Sequence, residues 1–492
     1  MLRATQQAIL SKPASGLKPP ERARPDVPRR VSCFRWLETG LIISLPTTPD
    51  RAFHWSESLT LDRNSNVYRW YVVGLLLAVL ILSYFDRYIL SLLIEPLKKS
   101  IQLTDFQVGL LLGPAFSLFH VIVGIPLGWF ADRTNRKYLL IGGVVIWCAM
   151  TTGNGFVTTF AALLLLRLGL GLGEAVVTPA SISIISDYFK RSERASAISV
   201  YLAGPYLGAG LAFLVGGFIV SHLETMGHVN WPLIGERAPW QAAFIFVGIP
   251  GFIMALLMLS IREPERKERT GDALGIDVAF RYIHRRWRAY GVIFVGSACN
   301  FAMSAMTFWS VPLFQRVYGW GIAETGVVTG LFYFTAGPLG TMLAVRAQKR
   351  FALKHKDSTM RQLLFGLLIV IPASALYPIM PRAEFAVALM FVAFIGKSVA
   401  TPGGPASMMQ ITPGEMRSQS MAIFNTVIAL IGPLLGPPLI GLAIDASGDP
   451  NSIGVVLSAY VLIIGVPAIL LLALGLRHYR AAVQDMEEAL EP

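Results

Sequence analysis

Five charged side chains lie inside long apolar runs of the chain. Asp86 and Arg87 are neighbours in the run LLLAVLILSYFDRYILSLLI. Arg167 and Glu174 lie seven residues apart in another run, and Lys397 lies in a third. A charge in an apolar, membrane-length run is costly unless it faces a partner or a water-filled cavity. These residue types therefore predict buried ion pairs, proton exchange at carboxylates, or binding of an anion.

We predict three proton-coupling residues, Asp86, Glu174 and His120, because a carboxylate or imidazole whose exposure changes can load and release a proton. The predicted substrate-binding residues are cationic, polar or aromatic side chains within the runs, namely Arg87, Arg167, Lys397, Tyr84, Asn300, Tyr333 and Asn425. Three cations against two carboxylates favour an anionic substrate. The alternatives are a structural Asp–Arg ion pair that holds the first and fourth helices together, with Arg167 in a structural role, a polar filling role for His120, and snorkelling of Lys397.

The elements that hold these residues are transmembrane helices. Of the 492 residues, 54% are hydrophobic and only 15% are charged, against about 25% in ordinary soluble domains. Twelve apolar runs are long enough to span a bilayer, which takes about 20 residues each. A polar segment separates six from six. The sequence predicts an all-α membrane protein of twelve transmembrane helices in two six-helix pseudo-repeats.

The predicted domain boundaries follow these runs. They are an N-terminal tail at 1–68, a six-helix bundle at 69–261, a linker at 262–288, a second bundle at 289–476 and a C-terminal tail at 477–492. The first tail is rich in Pro and Arg and is predicted to be disordered. The alternative is that this segment is an artefact of the start codon chosen for the sequence. The first long apolar run begins too late for a signal peptide.

Lys and Arg are concentrated in the loops after the second, fourth, sixth and eighth runs. Because such residues accumulate in cytoplasmic loops, we predict a plasma-membrane protein (inner membrane in a bacterium) with both termini cytoplasmic. The net charge of +12 is then a topology signal, and no nucleic-acid partner is expected. The three cysteines show no disulfide or metal spacing, so no cofactor or metal is predicted.

An internal repeat supports the division into halves. An offset of 223 residues aligns GEAVVTPASISIISDYFKRSERASAISVY, beginning at Gly173, with GKSVATPGGPASMMQITPGEMRSQSMAIF, beginning at Gly396. The offset brings Glu174 and Lys397 to the same repeat position, so we expect them to pair in one state and separate in another. Repeated halves are typical of transporters whose substrate site lies between them.

The loop GWFADRTNRK resembles the signature loop of the major facilitator superfamily, with Asn135 in the place of a turn glycine. The resemblance implies that this loop latches one half to the other on the cytoplasmic side. The residues that would form the latch are Gly128, Asp132, Arg133, Arg136 and, on the fourth loop, Arg194. Asn also tolerates the left-handed turn conformation, which we expect at Asn135.

The motifs SYFDRY, RLGLGLGEA and DYFKRSERASAISVY resemble the Spinster-like branch of that superfamily. That branch implies proton-coupled transport of a lysolipid-like amphiphile or other organic anion by a monomer. The anion:cation symporters, which take sugar acids or aromatic acids, share several of these features and remain the alternative. A channel or a non-transporting receptor on the same scaffold is the distant alternative. Because no convergent catalytic set is visible, we do not expect an enzyme.

Overall fold

The computed structural model describes residues 65–131, 133–232, 235–265 and 276–488. Within them the chain is almost entirely helical, with one short antiparallel hairpin. Most of the predicted N-terminal tail lies outside the described residues, so its predicted disorder stays a prediction. The same holds for part of the predicted linker.

The first set of elements precedes the linker. It comprises α1 Asn66–Leu92, α2 Ile94–Ile101, α3 Asp105–Leu112, α4 Pro114–Ala131, α5 Arg136–Asn154, α6 Phe160–Glu174, α7 Val177–Tyr188, α8 Arg191–Tyr201, α9 Gly204–Met226, β1 Val229–Trp231, β2 Gly235–Arg237 and α10 Pro239–Leu257.

The second set begins with the linker helix. It comprises α11 Ile276–Arg285, α12 Trp287–Ala302, α13 Ser304–Tyr318, α14 Ile322–Ala352, α15 Ser358–Leu376, α16 Ala383–Ala400, α17 Gly403–Gln410, α18 Arg417–Ser447 and α19 Ile453–Glu488. Short 3₁₀ turns lie at Met258–Ser260, Tyr377–Ile379, Gly414–Met416 and Pro450–Ser452.

In the part of the chain that the structure describes, 11 helical stretches are long and apolar enough to cross a membrane. Helix α5, with two basic residues at its start, occupies the place of the predicted third span. Together they agree with the predicted twelve-helix, all-α membrane fold. The predicted C-terminal tail differs in one respect, because α19 continues without a break to Glu488.

Several spans are broken in mid-course. The span at 160–188 breaks between Glu174 and Val177, and the span at 383–410 breaks between Ala400 and Gly403. These two spans are the repeat copies identified above. Broken transmembrane helices expose backbone groups and are tolerated where they are buried in protein or line a cavity. The breaks therefore mark the interior depth at which a site can form.

The two sets pack directly on each other along two seams. One joins α9 to α14, where a side chain on Gly217 would come within 3.3 Å of the Gly326 Cα atom. The other joins α3 to α18, where Gly109 lies against the backbone of Pro437 and Pro438. Small residues let membrane helices approach closely.

Asp357, which precedes α15, ties a loop to the end of α19. Its carboxylate accepts hydrogen bonds from Arg361 Nε at 2.8 Å and Arg480 Nε at 2.7 Å. Burial alone would raise the pKa of the Asp357 carboxyl group, but the bonds from the two arginines outweigh burial and hold the pKa below its ordinary value.

Candidate functional site

The centre of the candidate site is a buried ion pair between Arg87 on α1 and Glu174 at the end of α6. Arg87 Nη2 donates to Glu174 Oε2 at 2.6 Å. The Glu174 side chain is 1% exposed and the Arg87 side chain 22%, so one face of the pair meets open space. The Arg87 guanidinium also lies 4.6 Å from the Tyr84 ring and 4.0 Å from the Phe116 ring. The pair thus joins the break in the α6–α7 span to α1.

Asp86, next to Arg87, points to the other side of α1. It is fully buried, and its Oδ2 atom accepts from Trp147 Nε1 at 3.1 Å and Thr151 Oγ1 at 2.9 Å on α5. The second oxygen, Oδ1, has no hydrogen-bond partner among the described residues. Both donors to Oδ2, Trp147 and Thr151, are neutral, and Oδ1 accepts no hydrogen bond from the described residues. Asp86 therefore has room for a proton on Oδ1.

Arg167 and His120 complete the charged cluster. Arg167 is 3% exposed, lies 5.2 Å from the Phe244 ring and is close enough to Asp86 and Glu174 to interact electrostatically with both. His120 stacks on Phe116 at 5.1 Å between ring centroids and lies beside Arg87. The cluster of Asp86, Arg87, Arg167 and Glu174 contains two charges of each sign and is balanced.

An aromatic wall connects this cluster to the second set. Tyr84 stacks on Tyr88 at 6.4 Å, and Tyr88 stacks on Phe308 at 5.3 Å. Tyr88 also meets Tyr333 edge-on at 5.6 Å, and Tyr333 meets Phe394 at 5.2 Å. The wall thus runs from α1 to α13, α14 and α16 and gives the interior an apolar surface beside its charges.

The remaining predicted binding residues lie in the second set. Asn300 donates to Thr401 Oγ1 at 3.0 Å, and its own carbonyl oxygen has no partner among the described residues. Asn425 on α18 is exposed. Lys397 lies in the last turn of α16 and lines a small cavity with Phe394 and Thr307. The expected contact between Glu174 and Lys397 is not formed in this state, because Glu174 bonds to Arg87.

A network of charged residues, which we call the ion network, joins the two sets at one end of the molecule. Arg316 on α13 donates to Glu95 Oε1 at 2.8 Å and to both Asp105 oxygens at 2.7 and 3.1 Å. Lys98 Nζ lies 2.6 Å from Asp105 Oδ1. Asp445 on α18 accepts from the first two backbone N–H groups of α3 at 2.9 and 2.8 Å, where a helix start favours an anion.

The structure covers the predicted latch only in part. Asp132 lies outside the described residues, and Gly128 lies in α4. Arg136 donates to Asp187, to Glu263 Oε1 at 2.8 Å and to the Pro264 carbonyl at 3.1 Å. All three partners belong to the first set or to the chain just after it, so these bonds tie that set to itself. An inter-set latch stays a prediction for Asp132, Arg133 and Arg194.

Asn135 does not adopt the expected left-handed conformation. Its φ is −74°, and its side chain caps α5 by accepting from Tyr138 N at 3.2 Å. Asn is among the preferred residues for this capping position. The loop therefore turns by starting a helix, which removes the need for the glycine found in the superfamily motif.

Sequence reasoning missed several residues that surround the charges. Tyr88 is part of the quoted SYFDRY motif but was not among the predicted site residues. Trp147 and Thr151 are the donors to Asp86, and Phe116 is the ring under Arg87. Polar and aromatic side chains within apolar helices are common, so only the three-dimensional packing of α4 and α5 against α1 identifies them.

The comparisons with known proteins agree with this geometry. The sequence model of the Major Facilitator Superfamily matches residues 76–381. An MFS-type efflux pump of Mycolicibacterium smegmatis is 26% identical over 391 residues, covering 79% of this chain and 87% of that protein. Protein spinster homolog 1 of Homo sapiens is 26% identical over 403 residues, covering 76% of this chain and 72% of that protein.

A sugar-acid transporter is also similar. The "Probable galactarate/D-glucarate transporter GudP" of Bacillus subtilis (strain 168) is 25% identical over 443 residues, covering 81% of this chain and 92% of that protein. Among solved structures, a bacterial homologue of the human lysosomal transporter Spinster, in an inward-facing and unoccupied conformation, superposes with a TM-score of 0.71 at 25% identity. That alignment covers 85% of this chain and 98% of that one.

These relatives are transporters and not enzymes. The family match spans more than half of the chain, the chain is similar in sequence to a spinster homologue, and the bacterial Spinster structure shares the fold built by the two sets of helices. The chain belongs to the Major Facilitator Superfamily of membrane transporters, in its Spinster-like branch.

Proposed function

We propose that this transporter moves an organic anion or anionic amphiphile across the plasma membrane by alternating access, coupled to protons. The observation that carries the proposal is the buried Arg87–Glu174 ion pair at the break between α6 and α7. Buried charges in membrane helices are expensive and are usually retained for a task. The names of the relatives, one a Spinster homologue and one a sugar-acid transporter, support a substrate with a carboxylate or phosphate.

Protonation offers a way to switch the pair. A proton on Glu174 removes the negative charge that holds Arg87 and so weakens the contact between α1 and the end of α6. Asp86 and Glu174 each keep one carboxylate oxygen without a hydrogen-bond partner in the described residues, so each has an open position for a proton. Arg167 lies close to both carboxylates. Loading and release of the proton would then follow exposure of the cluster to either side.

The ion network closes one end of the interior between the two sets. We propose that it holds the end opposite the basic loops closed, and that it opens when the two sets rock about their seams. In this scheme the predicted bundles, 69–261 and 289–476, move as units around the linker at 262–288. By the distribution of Lys and Arg, the ion network faces away from the cytoplasm, and the transporter acts as a monomer.

A sugar-acid symporter is the second candidate, favoured by the similarity to the galactarate/D-glucarate transporter. It would use the same carboxylates for the proton and the same cations for the substrate carboxylate. The two candidates differ in whether the solute carries an acyl chain that lies on the aromatic wall.

Proteoliposomes that enclose a pH-sensitive dye test the proposal. Each candidate solute, D-glucarate or 1-oleoyl-lysophosphatidate, is added to vesicles with wild-type protein, with Asp86→Asn or with Glu174→Gln. We expect solute-driven proton movement in the wild type and its loss in both variants. Glu384→Gln, which neutralises an exposed glutamate at the start of α16, is the matched control and retains the flux. Undiminished proton movement in both Asp86→Asn and Glu174→Gln would contradict the proposal.

A further inference from the structure

Lys397 is the one cation of the predicted binding set that the charged cluster does not use. Its side chain is partly buried in the last turn of α16. Among the residues that the structure describes, none forms an ion pair or hydrogen bond with its ammonium group. A charged lysine in a membrane interior is costly unless a negative group lies beside it. The presence of Lys397 without such a group therefore needs an explanation.

We propose that the Lys397 pocket is the subsite for the anionic group of the transported solute, a carboxylate or a phosphate. This inference rests on the proposed function and assigns a place to the anion. It also gives the solute an orientation, with its charged end in the second set and the remainder facing the first set.

Charge balance is the first argument. Asp86, Glu174, Arg87 and Arg167 cancel within the first set, so Lys397 contributes an excess positive charge to the interior between the sets. An anion that binds beside Lys397 restores neutrality without disturbing the Arg87–Glu174 pair. A solute that bound at Arg87 instead would have to displace Glu174 from a bond of 2.6 Å.

The lining of the pocket is the second argument. Besides Lys397, it carries the hydroxyl groups of Thr307, Ser374 and Tyr377. The structure gives the Ser374 and Tyr377 hydroxyl groups no hydrogen bond to another described side chain, although both residues are buried. An ammonium group with nearby hydroxyl donors is the donor set that a carboxylate or phosphate oxygen requires.

The size of the pocket limits what enters it. Its open volume is about 20 Å³, close to the space that one water molecule needs. Met303, Met306 and Met390 form much of the remaining wall, and their flexible thioethers can adapt to a bound group. In this state the pocket therefore accepts the terminal oxygens of an anion and not a whole solute.

The position of the pocket places the rest of the solute. Phe394 lines the pocket and also meets Tyr333 at 5.2 Å, and Tyr333 meets Tyr88 of the first set at 5.6 Å. The pocket thus adjoins the aromatic wall on the second-set side. A solute anchored at Lys397 can lay an apolar chain or a sugar face on this wall, with its far end near Arg87.

Calorimetric titration of the full-length protein in nanodiscs tests the inference with two matched pairs of probes. One pair is D-gluconate and neutral sorbitol; the other is 1-oleoyl-lysophosphatidate and neutral 1-oleoylglycerol. The proteins are wild type, Lys397→Met, Lys397→Arg and Lys349→Met. Lys349 is an exposed lysine on α14 and controls for loss of a positive charge. Gel filtration and melting temperature verify that each variant is folded.

We expect the wild type to bind the anionic member of one pair more tightly than its neutral mate, and that pair identifies a sugar acid or a lysolipid as the source. Lys397→Met should weaken anion binding at least about tenfold, since bonds to charged groups carry that much affinity. The affinity of Lys397→Arg for the anion should stay within about threefold of the wild-type affinity, because the site recognises a positive point charge. Lys349→Met should bind as the wild type does.

The outcomes separate this inference from the proposed function. Equal anion affinity in the wild type and Lys397→Met overturns the inference and leaves anion transport intact. Neutral and anionic mates that bind equally well to the wild type overturn it too, because no charge is then recognised. Absence of binding of either anion to the wild type, together with absence of solute-driven proton movement, overturns the proposed function and this inference with it.

Discussion

The ion network allows a quantitative prediction about Arg316. This side chain is 8% exposed and makes three hydrogen bonds to Glu95 and Asp105 across the boundary between the two sets. Arg316→Gln keeps a polar side chain of similar shape and removes the charge. Of its two basic partners, Asp105 then keeps Lys98, and Glu95 loses its bond to Arg316. We expect the two sets to separate at this end.

The magnitude follows from the burial of the network. Removal of one partner from a buried ion pair costs about 3–5 kcal/mol, and the lower value applies because the Glu95 side chain is 24% exposed. We expect water to solvate Arg316 once the two sets separate at this end, so nearly all of this loss should fall on the closed form. About 3 kcal/mol corresponds to a factor of roughly 150 in the ratio of closed to open molecules.

Distances between two spin labels measure that ratio. The labels replace Ser100 on α2 and Asn451 after α18, two exposed positions in different sets at the network end, in a protein without native cysteines. The wild type should give mainly the short distance of the closed form. Arg316→Gln should transfer most of the population to a longer distance at neutral pH.

Arg382→Gln is the control, because Arg382 is an exposed arginine in another loop at the same end. It should leave the distances unchanged. Our reasoning is refuted if the distance distribution of Arg316→Gln superposes on those of the wild type and of Arg382→Gln, because the network then contributes nothing to closure.

Two further predictions concern packing and pH. Gly173→Ala places a methyl group 2.6 Å from the Gly143 carbonyl oxygen and 2.7 Å from Trp147 N, so it should cost about 1–3 kcal/mol of stability and reduce transport. Gly142→Ala, with open space around the new methyl group, should change neither stability nor transport. Equal melting temperatures of Gly173→Ala and Gly142→Ala would contradict this prediction. Asp357→Asn should lower the melting temperature by about 2 °C at pH 7. Because the pKa of Asp357 is depressed in the folded state, the difference should begin to shrink as the pH falls below about 3.9, the unfolded value, and vanish only below the folded-state pKa. A constant difference would refute the assignment.

The sequence predicted the helices and the charged cluster because both follow from the bilayer. Apolar runs identify spans, and charges within them are rare enough to stand out. The repeat was also visible, and its two copies share the break after Glu174 and after Ala400. In both copies a glycine, Gly173 or Gly396, lies against the backbone of the preceding span, so the repeat extends to the packing.

The partners of the charged residues could not be predicted from one sequence. The repeat position predicted that Glu174 and Lys397 pair in one state and separate in another, and it gave no sign that Arg87 is the partner of Glu174 in this state. The ion network was also missed. Its members Glu95, Asp105 and Asp445 lie at or near helix ends, where charges are ordinary, and only the meeting of α3 with α13 and α18 makes them a unit.

The length of α19 has a practical consequence for labelled versions of the protein. Its 36 residues span about 54 Å at 1.5 Å per residue, whereas the hydrocarbon layer is about 30 Å thick. The excess forms a rod that the Asp357 contact with Arg480 braces against the loop before α15. A fluorophore attached near Glu488 would report the orientation of the second set and not only its presence, because its anchor cannot swing independently of that rod.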